Sequence, residues 1–401
     1  MRTERPLAVY VHIPFCVRKC AYCDFLSFPS DPVRREAKEL RGRYFDALLE
    51  EIRKIPGEYV RGRGVTSIFF GGGTPSLAES GQIAAVLSAL RERFPVSEDA
   101  EISIECNPGT ATTAKLRELR EAGCNRLSIG VQSFSDRELA VLGRIHTRAE
   151  AEQCFLDARD AGFRNINLDL MAALPGQDET ALLDNVRQAV RLSPEHLSLY
   201  SLIIEPGTPF YERYADEVPD PHYDRPVRRE GRSLPDEETE RAMLHAAQEL
   251  LADAGYERYE ISNYAVRTTD RCRQNLAYWK RREYLGIGLG AASLMEETRF
   301  SNTRDLEKYL TCAGDPEREE WEILSEQDRM EEYMFLGLRL TEGIGEADFE
   351  ALFHREIDRV YGDEIRELVA QGLLVRDHGR IFLSQRGTDL ANVVMARFVN
   401  S

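Results

Sequence analysis

A strand followed by a helix recurs six times in the first half of this 401-residue chain, at a spacing of roughly thirty residues. Each strand segment is short and rich in apolar or β-branched residues, and glycine, proline or polar residues end it. Parallel strands joined by right-handed helical crossovers produce this pattern. The predicted strands are residues 7–13, 65–70, 101–105, 126–131, 165–170 and 196–204.

Apolar residues at helical spacing fill the intervals between these strands. Two of the predicted helices end in an Ala-Gly pair, at Gly123 and Gly162, where glycine takes the left-handed cap conformation. After the sixth strand we predict a Pro- and Arg-rich loop at about 216–233, a helix at 236–254 and a glycine-rich turn at 286–290. The predicted helices of the repeat are residues 35–55, 81–94, 112–122, 135–142, 148–161 and 178–192.

Polar motifs follow the carboxyl ends of the predicted strands. Six units suit either a doubly wound sheet or an incomplete barrel. The convergence of polar loops on one face is what a barrel active site requires. We therefore predict an α/β fold with a partial (β/α)6 TIM-like barrel.

The pattern changes at about residue 325, where helices at 330–340, 347–353 and 357–371 precede a hairpin at 373–383. This order is typical of an α+β winged-helix-like domain. Its acidic residues outnumber its basic ones, so we expect a lid or packing domain rather than a DNA reader. The predicted domains are the barrel at 1–215, a linker loop, helix and glycine-rich barrel-closing segment at 216–324, and the C-terminal domain at 325–401.

The chain contains 69 acidic and 52 basic residues, a formal net charge of −17. Nucleic acid bound through a general phosphate-neutralising surface needs a basic face, so we expect no nucleic-acid partner. The apolar stretch at residues 7–15 is too short to span a bilayer, and no signal-peptide cleavage site follows it. We expect a cytoplasmic protein without a membrane span.

Three of the eight cysteines, Cys16, Cys20 and Cys23, lie within eight residues of one another. Three soft thiolates on one loop select zinc or an iron–sulfur cluster over hard cations. Structural zinc takes four protein ligands, and His12 is the candidate for the fourth. A [4Fe–4S] cluster held by three thiolates leaves one iron open to a substrate or cofactor. The other five cysteines are scattered singly, as small buried side chains usually are.

Other loops carry residues that suit a cofactor. Gly72, Gly73 and Thr74 follow the second strand, where a missing Cβ lets backbone amides approach a ligand. Four polar residues on successive units can face the barrel mouth, because carboxylates suit ribose hydroxyls and a guanidinium suits a carboxylate. Loop capping or a rim ion pair is the alternative for each. These four are Glu105, Gln132, Arg144 and Asp169.

The spacing C-x3-C-x2-C resembles the cluster motif of radical S-adenosylmethionine (radical SAM) proteins. Motifs along nearly the whole chain resemble the coproporphyrinogen dehydrogenase-like (HemN/HemW) family within that group, which uses a partial six-unit barrel. The matching segments are residues 10–16, 20–25, 71–76, 105–108, 132–134, 143–146, 174–177, 197–200, 205–208, 259–263 and 284–288.

This resemblance implies that the three clustered cysteines hold a [4Fe–4S] cluster whose open iron binds S-adenosylmethionine (SAM). One electron from the reduced cluster then cleaves SAM to methionine and a 5′-deoxyadenosyl radical. Tyr10, Gly72 and Glu105 match positions that bind this SAM. The positions that line a second SAM or its vicinity in the oxidase are matched by Tyr22, Gly73, Thr74, Gln132, Arg144 and Asp169.

The oxidase branch carries a longer N-terminal extension and a further cysteine two residues past the third. This sequence begins close to its first strand and has Phe25 at that position. Both features favour the HemW-type haem chaperones, which are thought to bind haem and pass it to acceptor proteins. Two histidines usual in that branch are replaced here by Gln274 and Ala292.

If haem binds, another group must ligate it, and Cys272, Tyr278 and His146 are the candidates. The alternative function is a radical enzyme that decarboxylates a porphyrinogen or transfers a methyl group with two SAM molecules. The resemblance implies a haem-acceptor protein and an electron donor such as flavodoxin as further partners.

Overall fold

The computed structural model describes residues 5–218 and 233–399. Its central sheet contains a run of six parallel strands that are neighbours in sequence order. The strands are β1 (Arg5–Ile13), β2 (Arg63–Gly72), β3 (Val96–Cys106), β4 (Arg126–Gln132), β5 (Ile166–Ala172) and β6 (His196–Ser201). All six overlap the predicted strands, although β3 begins five residues before its predicted start and β6 ends three residues before its predicted end. The partial α/β barrel is confirmed.

Helices connect successive parallel strands, each within one or two residues of its predicted bounds. Gly123 follows the third helix with φ 118°, the left-handed cap that the sequence predicts. Apolar residues of these helices and of the strands form the main core. The helices are α1 (Arg35–Lys54), α2 (Ser80–Arg93), α3 (Thr113–Ala122), α4 (Asp136–Leu142), α5 (Arg148–Asp160) and α6 (Glu179–Leu192).

The sheet extends beyond the six parallel strands at both edges, which the sequence did not predict. β9 pairs in parallel with β1, and β8 pairs antiparallel with β6. Most of these strands are too short for alternation to be visible in a sequence. The predicted turn at 286–290 is shorter than expected, because its first two residues, Gly286 and Ile287, belong to β9. The added strands are β7 (Glu257–Arg258), β8 (Asn263–Ala265), β9 (Tyr284–Ile287), β10 (Ala292–Met295), β11 (Thr298–Asn302) and β12 (Arg318–Ile323).

Four further helices accompany this part of the sheet, including the one predicted at 236–254. Residues 219–232, most of the predicted Pro- and Arg-rich loop, lie outside the described residues. The helices are α7 (Pro209–Tyr214), α8 (Glu237–Asp253), α9 (Arg273–Trp279) and α10 (Leu306–Thr311).

The C-terminal part has its own apolar core, which includes Phe349, Tyr361 and Phe398. Three helices precede the predicted hairpin, which turns at His378 and Gly379, both with positive φ. A short strand between the first two helices pairs with the hairpin and completes a small antiparallel sheet. The elements are α11 (Glu326–Gly337), β13 (Ile344–Gly345), α12 (Glu346–Phe353), α13 (Ile357–Ala370), β14 (Leu374–Asp377), β15 (Arg380–Leu383), α14 (Gln385–Asp389) and α15 (Ala391–Ala396).

A buried carboxylate joins this C-terminal part to the sheet. Glu332 of α11 is 4% exposed and accepts a hydrogen bond from Arg281, with 2.7 Å between Nε and Oε2. Its other oxygen lies 2.5 Å from a guanidinium nitrogen of Arg299 on β11. Both cations of this triad come from the region that precedes the C-terminal helices.

Candidate cofactor-binding site

Alternation along the parallel strands points one set of side chains at the helices and the other into the barrel. In β4, the odd-numbered residues from Leu127 to Val131 belong to the apolar core. The even-numbered residues from Arg126 to Gln132 line an internal cavity of about 890 Å³. A polar barrel interior is therefore built from the same strands that hold the core.

This one cavity brings together every residue that the sequence singled out for the cluster or for SAM. Eleven of them lie on β1 to β5 or on the loops that follow these strands, because parallel strands end on one face of the sheet. Arg144 lies on the loop between α4 and α5. The twelve residues are Tyr10, Cys16, Cys20, Tyr22, Cys23, Gly72, Gly73, Thr74, Glu105, Gln132, Arg144 and Asp169.

The three clustered cysteines lie on the loop between β1 and α1. A short parallel ladder of Phe15–Cys16 with Phe28–Pro29 closes the base of this loop. The thiols are partly buried, and burial raises the pKa of Cys16 and raises that of Cys23 to about 11. A bound cation therefore favours the thiolate forms of Cys16 and Cys23 at neutral pH.

Two hydrogen-bond donors face the cysteine sulfurs. The Thr74 hydroxyl donates to Sγ of Cys16 across 3.5 Å, and a guanidinium nitrogen of Arg144 donates to Sγ of Cys20 across 3.5 Å. The Thr74 hydrogen bond partly offsets the rise in the pKa of Cys16, and Arg144 places a positive charge beside Cys20. The donors belong to different units of the barrel, so the tertiary fold assembles this environment.

His12 is not available as a fourth ligand for zinc. Its Nε2 lies 2.8 Å from the Leu26 carbonyl and therefore carries the proton, and its Nδ1 accepts from the Tyr10 hydroxyl at 3.1 Å. Burial lowers the pKa of His12 to about 4, so the ring is neutral. Throughout residues 5–218 and 233–399, no three His, Cys, Asp or Glu side chains converge as the ligands of a single ion would. A [4Fe–4S] cube instead takes each thiolate on a different iron.

The glycine loop after β2 allows a close backbone approach. A Cβ on Gly73 would lie 2.7 Å from the backbone nitrogen and oxygen of Phe15. The N–H groups of Gly73 and Thr74 donate to the carbonyls of Ile13 and Phe15, so these amides hold the cysteine loop. The amide hydrogens at these two positions are therefore already used within the protein, and the approach of the loop to a cofactor stays a prediction.

Asn107 is a functional candidate that the sequence reasoning did not single out. Its Nδ2 donates to the Thr74 hydroxyl at 2.9 Å, and its Oδ1 accepts from Arg144 at 2.8 Å. It thereby holds both residues that face the cysteine sulfurs. The available signal was its place in the motif at 105–108, directly after a strand that ends in a cavity residue.

Two acids, Glu105 and Asp169, face the cavity, and burial raises the pKa of both. Burial, assisted by the nearby charge of Asp169, raises the pKa of Glu105 to about 8. Asp169 also has a raised pKa through burial, although it accepts hydrogen bonds from Asn167 at 2.8 Å and Ser128 at 3.3 Å. Gln132 takes φ 66°, a left-handed conformation that is uncommon for a residue with a side chain and is often found at functional sites.

The candidate haem ligands occupy different places. Cys272 and Tyr278 line the cavity, whereas His146 lines a smaller neighbouring pocket and donates through Nε2 to the Val131 carbonyl at 3.1 Å. Gln274 is buried next to the cavity, where it accepts from the Ser67 hydroxyl and donates to the Tyr278 hydroxyl, both at 2.9 Å. Ala292 lines the cavity wall.

The model of the Radical SAM superfamily matches residues 10–189, and that of the HemN C-terminal domain matches residues 324–390. The heme chaperone HemW of Lactococcus lactis is 33% identical over 99% of this chain and 98% of its own length. HemW of Escherichia coli is 36% identical over 94% of this chain and 96% of its own. This chain belongs to the HemW family of radical SAM proteins.

A solved structure has the same fold as this HemW-family chain. Coproporphyrinogen III oxidase (HemN) of Escherichia coli, described as a radical SAM enzyme, matches with a TM-score of 0.81 and 24% identity. The match covers 99% of this chain and 91% of that one. Membership of the radical SAM superfamily implies a [4Fe–4S] cluster and SAM as cofactors. No helix of the described residues is long and apolar enough to cross a membrane.

Proposed function

We propose that this HemW-family protein is a haem chaperone, which binds haem and transfers it to an acceptor protein. The observation that carries the proposal is similarity over essentially the full chain to proteins named heme chaperone HemW. A local feature supports it. The position two residues past Cys23 holds Phe25, an apolar side chain that is 63% exposed beside the cavity, where the oxidase branch has a further cysteine.

In this proposal Cys16, Cys20 and Cys23 hold the [4Fe–4S] cluster. The donors Thr74 and Arg144 stabilise the thiolates, and Asn107 positions both of them. When bound, the cluster supplies the electron for reductive cleavage of SAM. The donor set supports this role, since it consists of three sulfurs on one loop with hydrogen bonds aimed at two of them.

We assign Tyr10, Gly72 and Glu105 to the SAM on the open iron. Glu105 accepts a hydrogen bond from the Gly72 amide and has a free oxygen for a ribose hydroxyl. A second SAM, if the protein takes two, would be lined by Tyr22, Gly73, Thr74, Gln132, Arg144 and Asp169, all of which face the same cavity.

The haem ligand in this chain is Cys272 or Tyr278, because these two candidates line the cavity and His146 does not. Burial raises the pKa of Cys272 to about 12 and raises that of Tyr278 as well. Either group must lose a proton to ligate ferric haem, so binding releases a proton. Haem affinity should consequently increase with pH across the neutral range.

Anaerobic reconstitution followed by haemin titration tests the proposed function. Wild-type protein with cluster and SAM should show a saturable Soret shift at a stoichiometry near one to one. Absence of that shift would overturn the proposal. Cys272→Ala and Tyr278→Phe identify the ligand by a changed Soret position, and Cys124→Ala, a buried cysteine of the apolar core, is the matched control.

A second candidate function is a radical enzyme that decarboxylates a porphyrinogen or transfers a methyl group. It is favoured by the presence of Gln132, Arg144 and Asp169 in the cavity together with the absence of the branch's usual histidines at 274 and 292. Anaerobic incubation with reductant, SAM and coproporphyrinogen III should then give substrate-dependent 5′-deoxyadenosine. Absence of turnover would exclude decarboxylation of coproporphyrinogen III but not methyl transfer.

We also propose a cytoplasmic location and an electron donor such as flavodoxin. A reducing compartment is consistent with eight cysteines that all carry free thiols. The electron donor is required because the cluster must be reduced before SAM can be cleaved. Reduction of the reconstituted cluster by flavodoxin, followed by its visible absorbance, tests this partner.

A further inference from the structure

Among the described residues three arginines are buried, and the guanidinium groups of two of them have hydrogen-bond partners. Arg63 donates to both carboxylate oxygens of Glu283 at 2.7 Å and to the Glu58 carbonyl at 2.6 Å. Arg41 donates to the Ser30 hydroxyl at 2.7 Å. The third, Arg126, is 2% exposed, and its Nε has no hydrogen-bond partner. Across the described parts of the chain, no carboxylate lies within ion-pair distance of it.

Arg126 is the first residue of β4 and lines the cavity. The acids near it are bonded elsewhere. Glu101 accepts from the Arg273 amide at 3.1 Å and from the Cys272 thiol at 3.6 Å. Asp169 accepts from Asn167 and Ser128. These acids interact with the guanidinium through their charge at longer range, and none of them accepts a hydrogen bond from its N–H groups.

A buried cation without a bonded counterion is costly unless something in its surroundings compensates it. The planar guanidinium fork matches a carboxylate, which accepts two parallel hydrogen bonds from it. The cavity gives a ligand direct access to this side chain. We propose that Arg126 is the anchor for a carboxylate of the ligand that fills the cavity.

The inference rests on the proposed function, because the carboxylate comes from one of two ligands of that function. Haem presents propionates, and a second SAM, one that the open iron does not hold, presents the carboxylate of its methionine part. The guanidinium of Arg126 binds either group in the same way, because both are carboxylates. Ligands with that group blocked or missing distinguish the sources, namely haemin dimethyl ester and decarboxylated SAM.

Equilibrium binding to the reconstituted holoprotein tests the proposal. Arg126→Gln should weaken binding of haemin or of SAM at least tenfold, and should change the affinity for the corresponding blocked ligand by less than twofold. Arg126→Lys keeps the positive charge but not the paired donors of the guanidinium, so its affinity should lie between those of wild type and Arg126→Gln. Arg63→Gln is the matched control, because it removes a buried arginine outside the cavity. It should lower the thermal midpoint and leave both affinities unchanged.

Affinities for haemin and SAM that both stay within twofold of wild type in Arg126→Gln would overturn the inference. Equal weakening of the acid and of its blocked form would do the same. If haemin does not bind wild-type protein, the proposed function fails, and the SAM measurements alone decide the role of Arg126. If Arg126→Gln does not fold, a structure of the wild-type holoprotein with each ligand decides: a ligand carboxylate on the guanidinium supports the anchor, and its absence from both complexes refutes it.

Discussion

The backbone N–H of Gly72 donates to Oε2 of Glu105 across 3.1 Å. This bond joins the glycine loop after β2 to the acid at the end of β3, so the two motifs form one wall of the cavity. Gly72 itself has φ 111°, and a Cβ there would meet the imidazole of His12. Only glycine allows this amide to reach the buried carboxyl group.

The raised pKa of Glu105 predicts a pH-dependent stability of the cofactor-free protein. Between about pH 4.5 and the folded pKa of about 8, the folded protein holds a proton that the unfolded chain has lost. Its free energy of unfolding should therefore fall as the pH rises through this window. Glu105→Gln removes this contribution. Between pH 5 and pH 8 the free energy of unfolding should therefore fall less in the variant than in wild type, by a difference of about 1 kcal/mol or more.

Urea denaturation at the two pH values measures this difference. Glu98→Gln, an exposed carboxylate on the same strand, is the control and should retain the wild-type slope. An unchanged pH dependence in Glu105→Gln would show that this carboxyl group titrates normally.

Alanine substitutions at two glycines should have opposite effects. Gly73→Ala places a Cβ against the backbone of Phe15 and should destabilise the protein by about 1–3 kcal/mol, as overpacking does. Gly81→Ala, in helix α2 with open space at the Cβ position, should be neutral or stabilise by up to about 1 kcal/mol. Thermal melts of the two variants are the test, and equal effects would contradict the close approach at Gly73.

Removal of one clustered thiol should abolish the cluster. After anaerobic reconstitution, Cys20→Ala should lack the broad brown absorbance and the iron content of wild type, because three thiolates are the protein's ligands to the cube. Cys312→Ala removes a partly exposed cysteine that does not line the cavity, and should keep both signals. Retention of the absorbance in Cys20→Ala would refute the cluster assignment.

The carboxylate of Glu332 should be essential for attachment of the C-terminal part to the sheet. Glu332→Ala removes the buried carboxylate that Arg281 and Arg299 share. Arg281 keeps its ion pair with Glu297, and the Arg299 side chain is 36% exposed, so we expect a loss of about 1–3 kcal/mol. Chemical denaturation measures this loss. Glu326→Ala on the same helix removes an exposed ion pair with Arg355 and should cost no more than about 1 kcal/mol. Similar losses in the two variants would argue against the buried triad.

Local sequence patterns were sufficient for the repeating part of the fold. The six parallel strands are long enough for their apolar and β-branched composition to be visible, and caps such as Gly123 mark the ends of their helices. Most of the extra sheet strands were missed because segments of two to five residues, such as β7 and β8, carry no periodicity of their own. The six-residue β12 was missed because its side chains are mostly exposed and show no apolar pattern. The division of the chain at 215 and 324 stays a prediction.

The sequence by itself determined the cysteine triplet, the glycine loop and the order of strands that brings their loops to one face, since each depends on local spacing or on the rules of parallel sheets. Only the tertiary structure decided which polar groups already have partners. It engages both nitrogens of His12, links Thr74 to Arg144 through Asn107, and leaves Arg126 without a bonded counterion. These relationships depend on distances between residues far apart in the chain, which no local pattern encodes.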